Sequence, residues 1–380
     1  MRLRKLALLA AVSALMLAPL ASTALAANGM EIGVQDDGVF TGPPNLARKA
    51  MVAAAHIHAT YVRVFLPWAD IAGSHANSRK APKHPRYNFH GYDSVVFLAS
   101  QYGIKVQFVL TGPAPAWATG NHRKGAVSPK SGPFAEYARQ AAVWFRGRVH
   151  RWSIWNEPNY ISWLQPQKRA ASIYRALYQR GYSAIKSVDP GDAVLIGETS
   201  PYASRRLAIA PLAFLRSVLC VNGAWQLKHG CSGLVADGYA QHPYDFNHSP
   251  SYHYPGGDDV TMGTLNRLTS ALSRAASSGA LRTPAGGMLP VYLTEYGYLS
   301  SGHSRISDKK YARYIVQGFG IALANPFVRE TVQYTLLPPR GRYRFFDMSI
   351  LTSRGKARPP YKALQKWANK MAAAGRIAIP

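Results

Sequence analysis

Apolar and polar positions along this chain alternate between two rhythms. Short runs dense in Val, Ile, Leu and aromatic residues, each halted by proline, glycine or a polar residue, read as buried strands. They fall at Met30–Asp36, Thr60–Trp68, Ile104–Leu110, the run from Arg151 that carries Trp152, Ile154 and Trp155 into Asn156-Glu157-Pro158, Ala193–Glu198, Leu234–Tyr244, Pro290–Tyr298 and Val328–Leu337. Between them lie longer stretches with apolar residues three and four positions apart, the spacing of one helical face. These are Asn45–His58, Gly91–Tyr102, Gly132–Arg148, Gln167–Val188, Pro211–Val221, Thr261–Ser277, Asp308–Ala324 and Pro359–Ala374, and Asp189-Pro190-Gly191 is a stop signal for the longest.

Eight strands in strict alternation with helices predict a (β/α)₈ barrel, the TIM-barrel form of the α/β class. A doubly wound open sheet also alternates, but no glycine-rich phosphate turn follows the first strand, which sets it lower. The length of 380 residues suits one such barrel, and no composition break or low-complexity linker divides the chain, so residues 27–380 are expected to form one catalytic domain. Residues 1–26 read as a secretory signal peptide. Arg2, Arg4 and Lys5 precede an apolar run from Leu6 to Leu20, and Ala24-Leu25-Ala26 offers a cleavage site. That run is shorter than the roughly 20 residues a membrane span needs, so an exported protein without a stable membrane anchor is expected, in the extracellular space or cell envelope.

Charge alters the picture more than composition does. The formal net charge is +27, and loss of Arg2, Arg4 and Lys5 with the signal takes it to +24. Such a field attracts polyanions. The basic residues are scattered and no nucleic-acid-binding motif accompanies them, so an anionic polysaccharide or cell-wall polymer is the expected partner class, set against a basic habitat adaptation with no ligand at all. The two cysteines, Cys220 and Cys231, most simply close a surface loop as a disulfide in an oxidising compartment; a metal site would need more ligands than the nearby His229 supplies. A monomer needing no metal and no cofactor is expected.

In a barrel of this kind, polar residues at the carboxyl ends of strands line the working face. The chain has only six glutamates. Glu136 falls on a helix and Glu330 near the start of its strand, which marks both as structural. Glu157 and Glu295 share another setting, an apolar strand before and sharp turn residues after. Two carboxylates facing one another across a barrel mouth are what glycosidic cleavage requires, one as acid and one as nucleophile or base. Glu198 also ends a strand, and reads as a paired rim carboxylate in preference to a substrate contact.

The tract Trp155-Asn156-Glu157-Pro158-Asn159 resembles the fourth-strand motif of clan A glycoside hydrolases, in which an Asn-Glu pair carries the acid/base. Thr294-Glu295-Tyr296-Gly297 resembles the seventh-strand nucleophile motif, Arg63 falls where family 5 and family 39 members keep an arginine beside the nucleophile, and His242-Pro243-Tyr244 matches the sixth-strand His-x-Tyr pattern of family 5. The resemblance implies a retaining enzyme of double displacement, with Glu157 as acid/base and Glu295 as nucleophile. Glu157 then needs its proton held by burial or by the second carboxylate, while Arg63 and the Tyr244 hydroxyl favour an ionised Glu295. Asn156 donates to the sugar 2-hydroxyl. His242 and Tyr244 share a strand face, and Trp68, Trp117, Trp155 and Trp163, at strand tips or in the loops just after, are candidates for stacking on sugar rings, Trp155 being the one best read as packing. On the eighth strand Gln333 and Tyr334 stand where family 5 usually has a stacking Trp, and the third strand lacks the family's His, so the sugar is not read from the sequence. A barrel that binds wall glycans without cutting them, and a transglycosylase using the same residues, are the competing readings.

Overall fold

The structure, a computed structural model, describes residues 29–339 and 346–380. The signal peptide expected at residues 1–26 lies outside the described residues. Eight parallel strands close into a barrel: β1 (Glu31–Gln35), β2 (Ala59–Pro67), β3 (Lys105–Thr111), β4 (Arg151–Ile154), β5 (Ala193–Thr199), β6 (Gly238–Gln241), β7 (Val291–Tyr296) and β8 (Val328–Tyr334), with β8 pairing back onto β1. Helices α1 (Pro44–Ala55), α2 (His90–Ser100), α3 (Ser131–Trp144), α4 (Gln167–Lys186), α5 (Pro211–Leu219), α6 (Leu265–Ser277), α7 (Asp308–Ala324) and α8 (Pro359–Ala373) follow the strands in turn. The fold is thus the (β/α)₈ barrel that the alternation predicts.

Strand parity explains how the core divides. Along β2, Val62, Val64 and Leu66 point to the helices, whereas Tyr61, Arg63 and Phe65 point into the barrel. The outward residues join one large apolar cluster with the helix stripes, such as Ala170, Ile173, Leu177 and Ile185 on α4. Gly181 of α4 allows the helix to lie close on β4, because a Cβ there would come within 2.9 Å of Ile154. Inside the barrel the apolar content is small, a separate cluster of Leu195, Ala240 and Tyr292, and the remaining space is filled with charged and polar side chains.

Two departures matter. The sixth run is not one strand: Leu234–Val235 pairs with Leu281–Arg282 outside the barrel, and only Gly238–Gln241 enters the wall, since Asp237 accepts from the Val194 amide and breaks the run. β8 stops at Tyr334, short of Leu337; the amides of Leu336 and Leu337 instead donate to Asp36 at the end of β1. Cys220, left-handed at the end of α5, is bonded to Cys231. No helix among the described residues is long and apolar enough to cross a membrane.

Candidate active site

Five ionisable side chains from five strands meet at the carboxyl end of the barrel. Arg63, fully buried on β2, donates from Nη1 to Glu295 Oε1 at 2.7 Å and from Nη2 to Glu198 Oε2 at 2.7 Å and Asn156 Oδ1 at 3.1 Å; Nη1 also meets Gln35 Oε1. His242, just past β6 and fully buried, lies with Nδ1 3.1 Å from Glu157 Oε1 and 3.6 Å from Glu295 Oε2, and with Nε2 2.8 Å from Glu198 Oε2. The Tyr244 hydroxyl donates to Glu295 Oε2 at 3.0 Å. Glu157 and Glu295, from opposite walls, are therefore separated by no more than 3.1 and 3.6 Å laid end to end through one nitrogen.

Local backbone shape delivers these groups. Past Ile154 the chain leaves the ladder, with Trp155 and Glu157 both left-handed, at φ 66° and 36°. Such non-glycine residues each carry strain of order 1–3 kcal/mol that the surroundings must hold. Trp155 is held by its amide on the Leu110 carbonyl and its indole N–H on the Trp163 carbonyl, and the Glu157 amide donates to the Glu198 carbonyl at 2.8 Å. The tips of β4 and β5 are thereby tied together. On β5 the register against β6 slips between Gly197 and Thr199, and Gly197 (φ 111°) and Glu198 (φ 51°) are both left-handed. This bulge turns Glu198 inward where strict alternation would aim it at the helices. A side chain at 197 would strike the Ala240 carbonyl at 2.5 Å, which is why glycine stands there.

The electrostatics follow from burial and pairing. Burial alone would raise Glu198, but Arg63 and His242 overcome it and hold the carboxyl at about 2. Burial would lower His242, yet Glu295, Glu157 and Glu198 raise it to about 9. Glu295 is raised from its ordinary value by burial and by Glu157, with His242 and Arg63 pulling the other way. Arg63 stays charged, because Glu198 and Glu295 more than offset its desolvation.

Several residues singled out in the sequence converge here: Glu157, Glu295, Asn156, Arg63, His242 and Tyr244. Trp68 and Trp117 do not. Trp68 has no exposed surface and stacks on Tyr137 at 5.7 Å with Phe134 and Trp117 edge-on around it, and Trp117 is 3% exposed. Both belong to an aromatic block between barrel wall and α3 and cannot stack on a sugar, which corrects the expectation drawn from their place at strand tips. Trp155 packs against Phe134 in the same block. Glu198 is paired, but it is wholly buried at the centre of the cluster and not on the rim.

The sequence reading missed Gln35, Thr294 and the aromatic residues that do reach the mouth. Thr294 donates to Glu198 Oε2 at 2.8 Å; its signal was adjacency to Glu295. Tyr202 and Tyr254 stack at 5.1 Å, and burial, followed by Tyr254, Asp245 and Glu157, pushes the Tyr202 hydroxyl up to about 12. Phe246 and the part-exposed Phe346 extend from the Tyr244 ring.

No protein-family model and no curated protein sequence matches the chain. Solved structures do resemble it. A family 39 glycoside hydrolase from the gut symbiont Bacteroides cellulosilyticus superposes with a TM-score of 0.64 at 19% identity, over 90% of this chain and 64% of that one. This chain thus spans just under two thirds of that protein. A GH5_18 enzyme from Streptomyces cattleya, solved with GlcNAc, gives 0.61 at 16% identity over 93% and 83% of the two chains. Xylanase 10B from Thermotoga maritima gives 0.58 at 17% identity over 91% and 97%. These neighbours are glycoside hydrolases of clan A, and what the chain shares with them at such identities is their closed eight-stranded parallel barrel.

Proposed function

We propose that this protein is a retaining glycoside hydrolase in which Glu295 is the nucleophile and Glu157 the acid/base. The observation that carries this reading is the convergence of the two carboxylates on His242 Nδ1 from opposite walls of the barrel mouth. Carboxyl groups about 5–5.5 Å apart suit double displacement, and inverting pairs stand roughly 6.5–9.5 Å apart; two carboxylate oxygens that reach one nitrogen at 3.1 and 3.6 Å agree with the shorter spacing.

Each step then has a group in reach. Glu295 Oε2 or Oε1 attacks the anomeric carbon while Glu157 gives a proton to the departing glycosidic oxygen, and an ester to Glu295 forms as the C–O bond breaks. Glu157, now ionised, takes a proton from water, whose oxygen attacks the same carbon and releases Glu295 as carboxylate. Arg63 and Tyr244 hold one oxygen each of Glu295 and stabilise its charge before attack and after release. Asn156, fixed by Arg63 through its carbonyl oxygen, keeps its amide N–H₂ free to donate to the sugar 2-hydroxyl.

The substrate class is a poly- or oligosaccharide. The basic stretches 69–87 and 121–130, in loops that follow β2 and β3, favour one with anionic decoration, and the N-terminal sequence and the disulfide favour secretion. A screen of plant, microbial and cell-wall polysaccharides with Glu157→Gln and Glu295→Gln as controls tests the reading. Wild type is expected to release reducing ends from at least one polymer, and neither variant is. A barrel that only binds glycans would show affinity without turnover in all three proteins.

A further inference from the structure

Glu198 is not needed by the two-carboxylate reaction, yet one of its oxygens gathers more donors than any other carboxylate oxygen in the site, while the other, Oε1, is buried without a partner. Its Oε2 receives three donors from three strands: Arg63 Nη2 at 2.7 Å, His242 Nε2 at 2.8 Å and Thr294 Oγ1 at 2.8 Å. It has no exposed surface, and the β5 bulge exists to bring it there. The backbone carbonyl of the same residue accepts the amide of Glu157.

The consequence falls on His242. Both its ring nitrogens face carboxylate oxygens, Nε2 toward Glu198 and Nδ1 toward Glu157 and, further off, Glu295. An ionised carboxylate only accepts hydrogen bonds, and a neutral imidazole has one N–H and one lone pair. A neutral His242 would turn that lone pair either on Glu198 or toward the ionised nucleophile Glu295, and on Glu157 as well once that acid/base has given up its proton; an imidazolium donates at both ends. We propose that Glu198 is a positioning residue that acts as the shared counter-ion of Arg63 and His242, keeping His242 a doubly protonated imidazolium whose Nδ1–H sits between the acid/base and the nucleophile. This inference rests on the glycoside-hydrolase reading for its role in catalysis, though not for its test.

The charged and titratable groups around His242 are Arg63 from β2, Glu157 beyond β4, Glu198 of β5, Tyr244 beyond β6 and Glu295 of β7. Two cations thus stand among three carboxyl groups, of which Glu157 alternates between acid and carboxylate. With Glu198 in place, both cations are fixed against Glu295, and the developing and departing negative charge of the nucleophile meets the same field in every turnover. Without it, His242 has nothing on Nε2 to pay for burying a charge, and Arg63 loses one of its anchors.

The test is ring-nitrogen NMR of His242 across pH in ligand-free protein, with the signal assigned by its loss in His242→Gln. Both ring nitrogens of wild type are expected to stay protonated through neutral pH. In Glu198→Gln, which keeps the shape and removes the charge, the titration is expected about one to three units lower; Glu198→Asp restores part of the shift. A wild-type His242 that is neutral at pH 7, or a titration unmoved in folded Glu198→Gln, overturns the proposal, and the wild-type measurement decides even if the variant does not fold. A second arm uses an aryl glycoside with a good leaving group, which needs no proton from Glu157. There the alkaline limb of kcat/KM is expected to move to lower pH in Glu198→Gln, and an unmoved limb would also overturn the role. Absence of any glycoside turnover in wild type sinks the hydrolase reading, while the NMR titration still judges the placement of the proton.

Discussion

Two arginine-centred clusters occupy opposite ends of the same barrel interior, and they differ in what closes them. At the amino end Arg151 pairs with Glu31 at 2.7 Å and Glu330 at 3.2 Å, and its guanidinium lies between the rings of Tyr61 and Tyr292, 3.6 and 4.7 Å from their centroids. At the carboxyl end Arg63 pairs with Glu198 and Glu295, but its cluster continues through His242 to Glu157, the least buried of the set. Buried ion pairs are thus no mark of an active site by themselves. The lower cluster is a plug, with aromatic faces taking the place of water. The upper cluster has a carboxylate left for an outside molecule, strained backbone on β4 and β5 that aims it, and a histidine joining it to the nucleophile.

The comparison breaks if the upper cluster is also only structural. Glu295→Gln is expected to lower kcat/KM by ~10⁴-fold or more with the circular dichroism spectrum unchanged. Glu157→Gln is expected to cost ~10²–10⁴-fold on a glycoside with a poor leaving group and far less on an activated one, a split that only a proton donor produces. Arg151→Met reverses the pattern. It leaves the buried Glu330 and the half-buried Glu31 without their cation and should lower stability by about 1–3 kcal/mol in denaturant titration at neutral pH, with kcat of the folded fraction retained.

The pH dependences separate the clusters more finely. Glu295 is raised by burial, so on the acid side kcat/KM should fall with an apparent pKa above that of an ordinary glutamate, since the protonated form cannot attack. Glu330 is pushed up to about 8 by burial against the pull of Arg151. The folded state therefore keeps a proton that the unfolded chain sheds near the ordinary 4.5, so this group's stabilisation is whole below that value and is lost as pH rises through about 8. Asp36, raised to about 7 by burial, adds a similar slope. Melting temperature measured from pH 5 to 9 should fall with pH in wild type and fall less in Glu330→Gln, with the acid limb of kcat/KM unaltered.

The barrel and the catalytic pair were legible because both rest on periodicity and its interruption. Eight runs halted by breakers are eight strands, and a carboxylate at the point of interruption lies at a strand tip; Arg63, with alternate apolar neighbours, had to face inward. Parity fails where the backbone departs from the ladder. Glu198 is paired as expected, but it is not on the rim because a bulge turns it inward, and a glycine before it is the local sign. Trp68 and Trp117 were misjudged for a related reason. Both lie past a strand end, in short helical turns that the alternation does not describe, and there the aromatic block beneath α3 buried them. The split of the sixth run depended on Asp237 finding the Val194 amide, a contact between residues 43 positions apart that no local pattern contains.

The central claim is that Glu157 and Glu295 perform a double displacement at one sugar carbon. Proton NMR of the anomeric signals, followed from the first seconds of hydrolysis by wild type, tests it most directly. The account predicts a first product with the anomeric configuration of the substrate, absent when Glu295→Gln replaces wild type. A first product of inverted configuration, or undiminished hydrolysis by Glu295→Gln, would contradict it.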